Sequence, residues 1–453
     1  MIDKPVAFCL INLIAFFGVM TLFGFESSFP LSVIFSILII TYHHKKIGWE
    51  DSLVLGIIYL LAFDSTVFYF SAANIRVWYF YLIIIYIIKF LKGKRFLNFN
   101  KNILEYICVF FFLIVSIYYL FVEDFISDVN NLKYWIFYVG LILILNDFFK
   151  RNVQKHLPII NYIISITTFI MFWGLIQFGT NLMFISNYQL DYFNIRPSGF
   201  FSETTWYSEF CFFGLVLIFL VVTMDKRRGK LLFLFPFYFV GFIFSVTRNT
   251  FLALFLYVVL SFILALIIEK KIYLNVIKSK IFQLIGSAVV LVIGYLLFNL
   301  GEVAAFFTGK FDGQDGSAQG RLEAYKISID KILNSDLIGN GFFWDFSQST
   351  SSGSALGAKS FNLFLMMGHI FGLFGLFVFM ILLGTYLSKN LYYYKALKST
   401  YFRYSIIIIL LFVQMSMFAP LHQFPFGMLI VSISVFLYNI GIYEKNSLCH
   451  PSI

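Results

Sequence analysis

Long apolar runs, separated by short polar clusters, make up most of this chain. A helix needs about 20 apolar residues to cross a bilayer, and runs of this order predict about fourteen transmembrane helices. The predicted spans are 5–24, 29–42, 52–71, 75–91, 103–122, 133–149, 158–178, 206–224, 231–247, 250–268, 281–300, 360–387, 404–420 and 424–442. No small-residue cleavage site follows the first run, so we expect it to stay as a helix.

Composition agrees with this pattern. The 453 residues are 60% hydrophobic and only 12% charged, and the mean hydropathy is +0.87. Soluble globular domains carry about twice that share of charge. We therefore predict an all-α polytopic membrane protein, with residues 1–453 forming a single integral membrane domain.

The basic residues predict the orientation of the chain. Clusters of Lys and Arg follow every second predicted span, at 43–46, 89–101, 150–155, 225–230, 269–280 and 389–403. Because such clusters favour the cytoplasmic side, both termini are predicted to be cytoplasmic. The net charge of +10 is then a bias toward the inner face and its anionic lipids, and no nucleic acid partner is expected.

Two long segments fall on the outer side, at about 179–205 and 301–359. Long loops in a protein with few loops often carry the function. The first leads into RPSGFFSETTWYSEF at 196–210, and the second contains GRLEAYKISIDKILNS at 320–335. In the latter, Leu322, Tyr325, Ile329 and Ile332 or Leu333 recur at helical spacing, which predicts an amphipathic helix on the outer surface, ended by SDLIGNG.

Three outer arginines are candidates for a site: Arg196, Arg248 and Arg321. A charged side chain at the membrane edge is costly, so each is either part of a structural ion pair or part of an anion site. Together they suit a phosphate or pyrophosphate, because the guanidinium fork forms paired hydrogen bonds and keeps its charge. Glu203 either pairs with an arginine or acts as a general base.

Several familiar motifs are missing from the sequence. It contains no GxxxxGK phosphate loop, no HExxH, no CxxC and no outer DxD pair, and Asp312 and Asp315 form only a weak metal signal in a Gly-rich turn. We expect neither a metal nor a cofactor. Asp64, inside the third predicted span, is either an ion-coupling residue or the partner of an outer arginine.

Four segments in order resemble the O-antigen polymerase and O-antigen ligase superfamily. They are RPSGFFSE, SVTRNT, GRLEAYKISIDKILNSDLIGNGF and KSFNLFLMMGHIFGLFG, and the resemblance covers about 155–445. It implies a metal-independent, inverting glycosyltransferase with C-type architecture in the bacterial inner membrane. Its two large periplasmic loops would lie over a lipid-facing cavity, and its substrates would be oligosaccharides on undecaprenyl pyrophosphate.

The resemblance also implies roles for individual residues. Arg196, Arg248 and Arg321 match the arginines that are thought to hold the pyrophosphate, and Glu203 matches a glutamate common in the polymerase branch. His422 is an alternative base on the outer side, or else an interfacial histidine.

One position departs from the ligase branch. Ligase-like members often carry a His-Asn pair at the entry to the span after the large loop, whereas here Phe361 precedes Asn362. This favours a polymerase that transfers the growing chain to the non-reducing end of a new repeat unit.

Two other functions remain open. The first is a ligase that transfers glycan to lipid A core, and the second is a flippase or transporter of lipid-linked oligosaccharide. Transporters usually contain repeated halves, and no internal repeat is visible here. For a polymerase, the resemblance implies a chain-length regulator and a flippase as protein partners.

Overall fold

The computed structural model describes residues 4–23, 28–61, 67–70, 73–93, 125–180, 204–245, 247–268, 316–334, 337, 339, 362–418 and 425–449. The described chain is almost entirely helical. Its helices are α1 Lys4–Phe23, α2 Ser28–Ile47, α3 Trp49–Leu61, α4 Val77–Leu91, α5 Phe125–Arg151, α6 His156–Thr180, α7 Thr204–Met224, α8 Phe235–Phe244, α9 Arg248–Ile268, α10 Gly316–Leu333, α11 Leu363–Leu397, α12 Thr400–Phe418 and α13 Pro425–Cys449. Short 3-10 segments precede α6 and α8, at Val153–Lys155 and Lys226–Leu234.

The helices confirm a helical membrane protein. Five stretches of the described chain are long and apolar enough to cross a membrane: Val153–Ile176, Thr205–Met224, Leu363–Leu397, Thr400–Met417 and Pro425–Asn446. Every predicted span except 103–122 and 281–300 falls on a described helix, and those two lie outside the described residues.

The third predicted span ends differently from the prediction. Helix α3 stops at Leu61, and Val67–Phe70 forms a strand, β1, that pairs antiparallel with β2 at Ala73–Arg76. The predicted span 52–71 is therefore wrong in its last part. Hydrophobicity alone does not separate a short strand from helix, and the VFYF sequence of β1 is rich in β-formers.

Two groups of helices form the bundle. In the first, α1 to α4 pack in sequence order and α1 also packs on α6. In the second, α12 lies among α7, α9, α11 and α13, while α13 also contacts α3 and α5 and so joins the groups. The buried apolar side chains of both groups form one continuous core.

Among the five candidate spans, α7 is the most buried and α11 the least. In the apolar window of α7, 83% of residues are buried, against 22% in α11. Helix α7 is thus enclosed by protein, whereas α11 presents an apolar outer surface that suits lipid. Polar side chains of α7 therefore need hydrogen-bond partners inside the bundle.

Candidate functional site

Two of the five predicted site residues lie in the described part of the chain. Arg248 is the first residue of α9, and Arg321 lies in α10. Arg196, Glu203 and His422 lie outside the described residues. Along the chain, Glu203 directly precedes α7, and His422 falls between α12 and α13.

A buried carboxylate lies in the second turn of α7, at Glu209. The Nδ2 atom of Asn249 donates a hydrogen bond to its Oε1 atom at 2.7 Å. Asn249 directly follows Arg248, so this contact ties the beginning of α9 to α7. A carboxylate inside a span is costly, and its presence marks the region as a functional candidate.

Helix α12 also binds Asn249. The Nε2 atom of Gln414 donates to Oδ1 of Asn249 at 2.6 Å, and Asn249 Nδ2 also donates to the carbonyl oxygen of Met415 at 3.1 Å. Both amide ends of Asn249 are therefore held. The first turn of α9 is thus fixed between α7 and α12.

A second pair of side chains joins α7 to α9 beside the first. Ser208 Oγ donates to Thr250 Oγ1 at 2.7 Å, and both residues are buried. We call Ser208, Glu209, Asn249, Thr250 and Gln414 the Glu209 network. Adjacent residues on each helix take part, so the two helices are held in a fixed register.

The backbone at the start of α9 is held as well. The Thr247 carbonyl accepts hydrogen bonds from the N–H groups of Thr250 and Phe251, at 3.1 and 3.4 Å. A helix begins here with its N–H groups and positive dipole end at Arg248, which favours an anion nearby.

Helix α10 confirms the helix predicted for the second long segment, and its end at Leu333 agrees with the predicted stop before SDLIGNG. The hydroxyl of Tyr325 donates to the carbonyl of Met417, next to the end of α12, at 3.0 Å. Arg321 precedes Tyr325 by about one helical turn. This contact brings α10 to the end of α12 that also meets α9.

The apolar spacing of α10 is only partly used for packing within the described chain. Ile332 is buried, whereas Ile329 and Leu333 are 44% and 68% exposed. Ile332 packs over Gly368 of α11, where an added Cβ would lie 2.9 Å from its Cδ1 atom. Ile329 and Leu333 thus leave apolar surface exposed on this helix.

Glycines bring the chain after α10 against α11. Gly372 interrupts α11 with φ 68°, and Gly339 has φ 88°. A Cβ on Gly372 would lie 2.2 Å from the Leu337 carbonyl oxygen, which accepts from the Phe374 N–H at 3.3 Å. Only glycine permits this approach without strain, and the interrupted span thereby regains a backbone hydrogen bond.

Asn362, which follows Phe361 where the sequence departs from the ligase pattern, caps α11. Its Oδ1 atom accepts from the N–H groups of Phe364 and Leu365 at 2.9 and 3.2 Å. This satisfies backbone donors that a helix start leaves free.

The structure thus brings together the elements that carry Arg248 and Arg321, at the end of α12 near Phe418. Sequence reasoning missed the buried residues that hold the start of α9, namely Glu209, Asn249 and Gln414. A signal was available, because Glu209 is an acidic residue within an apolar run, in the same RPSGFFSETTWYSEF stretch as Glu203.

A second charged cluster lies at the opposite end of the bundle, where α3, α4 and α5 meet. Arg151 contacts Glu50 at 2.8 Å, Asp51 at 2.7 Å and Asp147 at 3.2 Å. Lys89 pairs with Asp147 and lies 3.6 Å from Glu50. We call these five residues the α3–α4–α5 ion cluster. In the sequence, Lys89 and Arg151 served only to predict which side of the membrane is cytoplasmic. In the structure, both pair with carboxylates.

Comparison with known proteins gives no match: neither a protein-family model, nor a curated protein, nor a solved structure resembles this chain closely enough to count. A functional conclusion therefore depends on the residues themselves.

Proposed function

We propose that this chain is a membrane-embedded glycosyltransferase that joins oligosaccharide repeat units carried on undecaprenyl pyrophosphate, in the manner of an O-antigen polymerase. The proposal includes about fourteen spans, C-type architecture, cytoplasmic termini and a site on the periplasmic face of the bacterial inner membrane. A chain-length regulator and a flippase are its proposed protein partners.

One observation carries the proposal. The first turn of α9, which begins with Arg248, is anchored by Glu209 and Gln414 at the end of α12 that α10 also reaches through Tyr325. Helix α7 begins directly after Glu203, and His422 follows α12. Arginines from separate segments near one bundle end suit a pyrophosphate, which needs several cationic donors in fixed positions.

The proposed reaction is a displacement at the sugar C1 atom. A hydroxyl oxygen of the acceptor unit forms the new bond to C1 while the bond from C1 to the pyrophosphate oxygen breaks, and the configuration at C1 inverts. The arginines stabilise the charge that develops on the departing undecaprenyl pyrophosphate. Glu203 or His422 accepts the hydroxyl proton.

The test is a proteoliposome assay with the purified chain and a lipid-linked repeat unit as the only substrate. Arg196→Ala, Arg248→Ala and Arg321→Ala should each lower the polymerisation rate, by about 100-fold or more if the arginine stabilises the leaving group. Arg228→Ala is the matched control, because Arg228 pairs with Asp225 at 3.4 Å in a segment predicted to be cytoplasmic.

The alternatives give different outcomes in the same assay. A flippase would move the lipid-linked unit across the bilayer and form no polymer, and a ligase would transfer glycan only when lipid A core is supplied. Full activity in all three arginine variants would rule out the proposed site. Comparing Glu203→Gln, Glu203→Asp and His422→Ala then assigns the base, since Asp retains a carboxylate and Gln does not.

A further inference from the structure

A polar pocket lies at the other end of α12, away from the Glu209 network. Its volume is about 370 Å³, within the range of small-molecule sites. Helix α12 has 19 residues, so the two ends are separated by about 28 Å at 1.5 Å per residue. The residues that matter for its chemistry come from α7, the α11–α12 connection, the start of α12, and α13: Thr223, Lys398, Ser399, Thr400, Glu444 and Lys445.

The pocket combines cations with hydroxyl groups. Two lysines, Lys398 and Lys445, line it together with the hydroxyl residues Ser399 and Thr400. Ammonium and hydroxyl donors together are suited to phosphate oxygens. One carboxylate, Glu444, shares the pocket and accepts from Ser399 Oγ at 3.5 Å. An anion that also carries a hydrogen-bond donor would therefore satisfy both kinds of lining group.

The backbone at Lys398 is unusual. It ends α11 in the left-handed region, with φ 52° and ψ 26°, and Lys398 is the one non-glycine residue with positive φ in the described part of the chain. A side chain with a Cβ disfavours this conformation, which glycine adopts freely. A lysine in a position suited to glycine points to a role for its ammonium group.

Lys445 is held in place by an aromatic ring. Its Nζ atom lies 5.0 Å from the ring centroid of Tyr393 in α11, a distance suited to a cation–π contact. The ammonium is thus ordered next to the pocket before any ligand arrives, which lowers the entropic cost of binding.

We propose that this pocket binds the phosphate of a phosphodiester, with Lys398 and Lys445 as its cations. Glu444 accepts a hydrogen bond from an ammonium or hydroxyl group on the same ligand. Two sources offer this chemistry: a phospholipid headgroup and a soluble glycerophosphodiester. The site is independent of the proposed glycosyl transfer, because it lies at the opposite end of α12.

The experiment measures thermal unfolding of the purified full chain in detergent micelles. One arm adds phosphatidylethanolamine or phosphatidylglycerol, and the other adds glycerophosphoethanolamine or inorganic phosphate. The unfolding midpoint should rise with probe concentration and reach a plateau. A rise with the lipids alone identifies a headgroup site, and a rise with the soluble probes as well identifies a site for free phosphate compounds.

The variants connect the effect to the pocket. K398A/K445A should raise the concentration needed for half of the shift by at least tenfold. Lys395→Ala is the control, since Lys395 is an exposed lysine of the last turn of α11 that does not line the pocket. Lys398→Gly removes the ammonium while relieving the backbone, so it should fold at least as well as wild type and still lose affinity. Glu444→Gln should reduce the preference for phosphatidylethanolamine over phosphatidylglycerol.

Two results would overturn the proposal. One is a wild-type chain whose midpoint does not respond to any of the four probes. The other is an unchanged response in both K398A/K445A and Lys398→Gly, which would place the bound phosphate elsewhere on the chain.

Discussion

The α3–α4–α5 ion cluster and the Glu209 network both join three helices, yet they do so with different chemistry. The ion cluster brings two cations to three carboxylates, and Arg151 alone contacts Glu50, Asp51 and Asp147. In the Glu209 network, the carboxylate of Glu209 accepts a hydrogen bond from the Asn249 amide at 2.7 Å, and the Ser208 hydroxyl donates to the Thr250 hydroxyl.

The two groups also differ in exposure. In the ion cluster the side chains of Arg151 and Asp147 are 34% and 40% exposed, so water reaches one edge of it. Glu209, Ser208 and Thr250 have no exposed surface. Inside the bundle, hydrogen bonds from amides and hydroxyls offset the cost of removing these polar side chains from water.

The largest effect is expected from breaking the ion cluster. Glu50→Ala leaves the buried Lys89 with Asp147 as its remaining partner and removes one contact of Arg151. Leaving a buried charge with no partner costs about 3–5 kcal/mol. Because Lys89 and Arg151 keep other carboxylate partners, we expect a fall at the lower end of this range, about 3 kcal/mol, in the free energy of unfolding, measured by SDS titration in mixed micelles. Asp225→Ala, which breaks a partly exposed pair with Arg228, should cost only about 0–1 kcal/mol. Equal losses in the two variants would mean that the ion cluster contributes no more than a surface pair.

A smaller loss of stability, with a larger loss of activity, is expected from the Glu209 network. Gln414→Ala removes the donor to Asn249 Oδ1 and should cost about 1–3 kcal/mol, because that oxygen is then buried without this bond. Since Asn249 then holds the first turn of α9 less firmly, polymerisation in proteoliposomes should fall as well.

The control for this variant is Asn390→Ala in α11. Asn390 is a buried amide whose Nδ2 donates to Tyr386 within its own helix at 2.9 Å. Its replacement should lower stability but leave polymerisation unchanged. If both variants lower the rate equally, the Glu209 network has no special relation to the site.

The smallest effect is expected from the hydroxyl pair of the network. Ser208→Ala leaves Thr250 Oγ1 without its donor and should cost about 0.5–1.5 kcal/mol. Adding Thr250→Val removes the second hydroxyl with little change in shape, so the double variant should regain part of the loss. The same titration measures both, and strictly additive losses would show that the two hydroxyls do not interact.

Sequence reasoning predicted the helical membrane architecture and the helix that contains Arg321. It chose Glu203 and passed over Glu209, since spacing does not tell which polar residues of different helices meet. It also placed a span across 52–71, whereas helix α3 ends at Leu61 and Val67–Phe70 pairs as a strand with Ala73–Arg76. Strand pairing depends on a partner segment, and hydropathy along the chain does not contain that information.

The sequence by itself determined which parts of this protein are apolar helices, because burial in lipid requires long runs that satisfy their own backbone hydrogen bonds. It also supplied the candidate arginines. Only the tertiary structure decided that Asn249 binds both Glu209 and Gln414, that Gly372 meets Leu337, and that Lys89 and Arg151 are paired. These contacts join residues far apart in the chain, so they follow from how the helices pack.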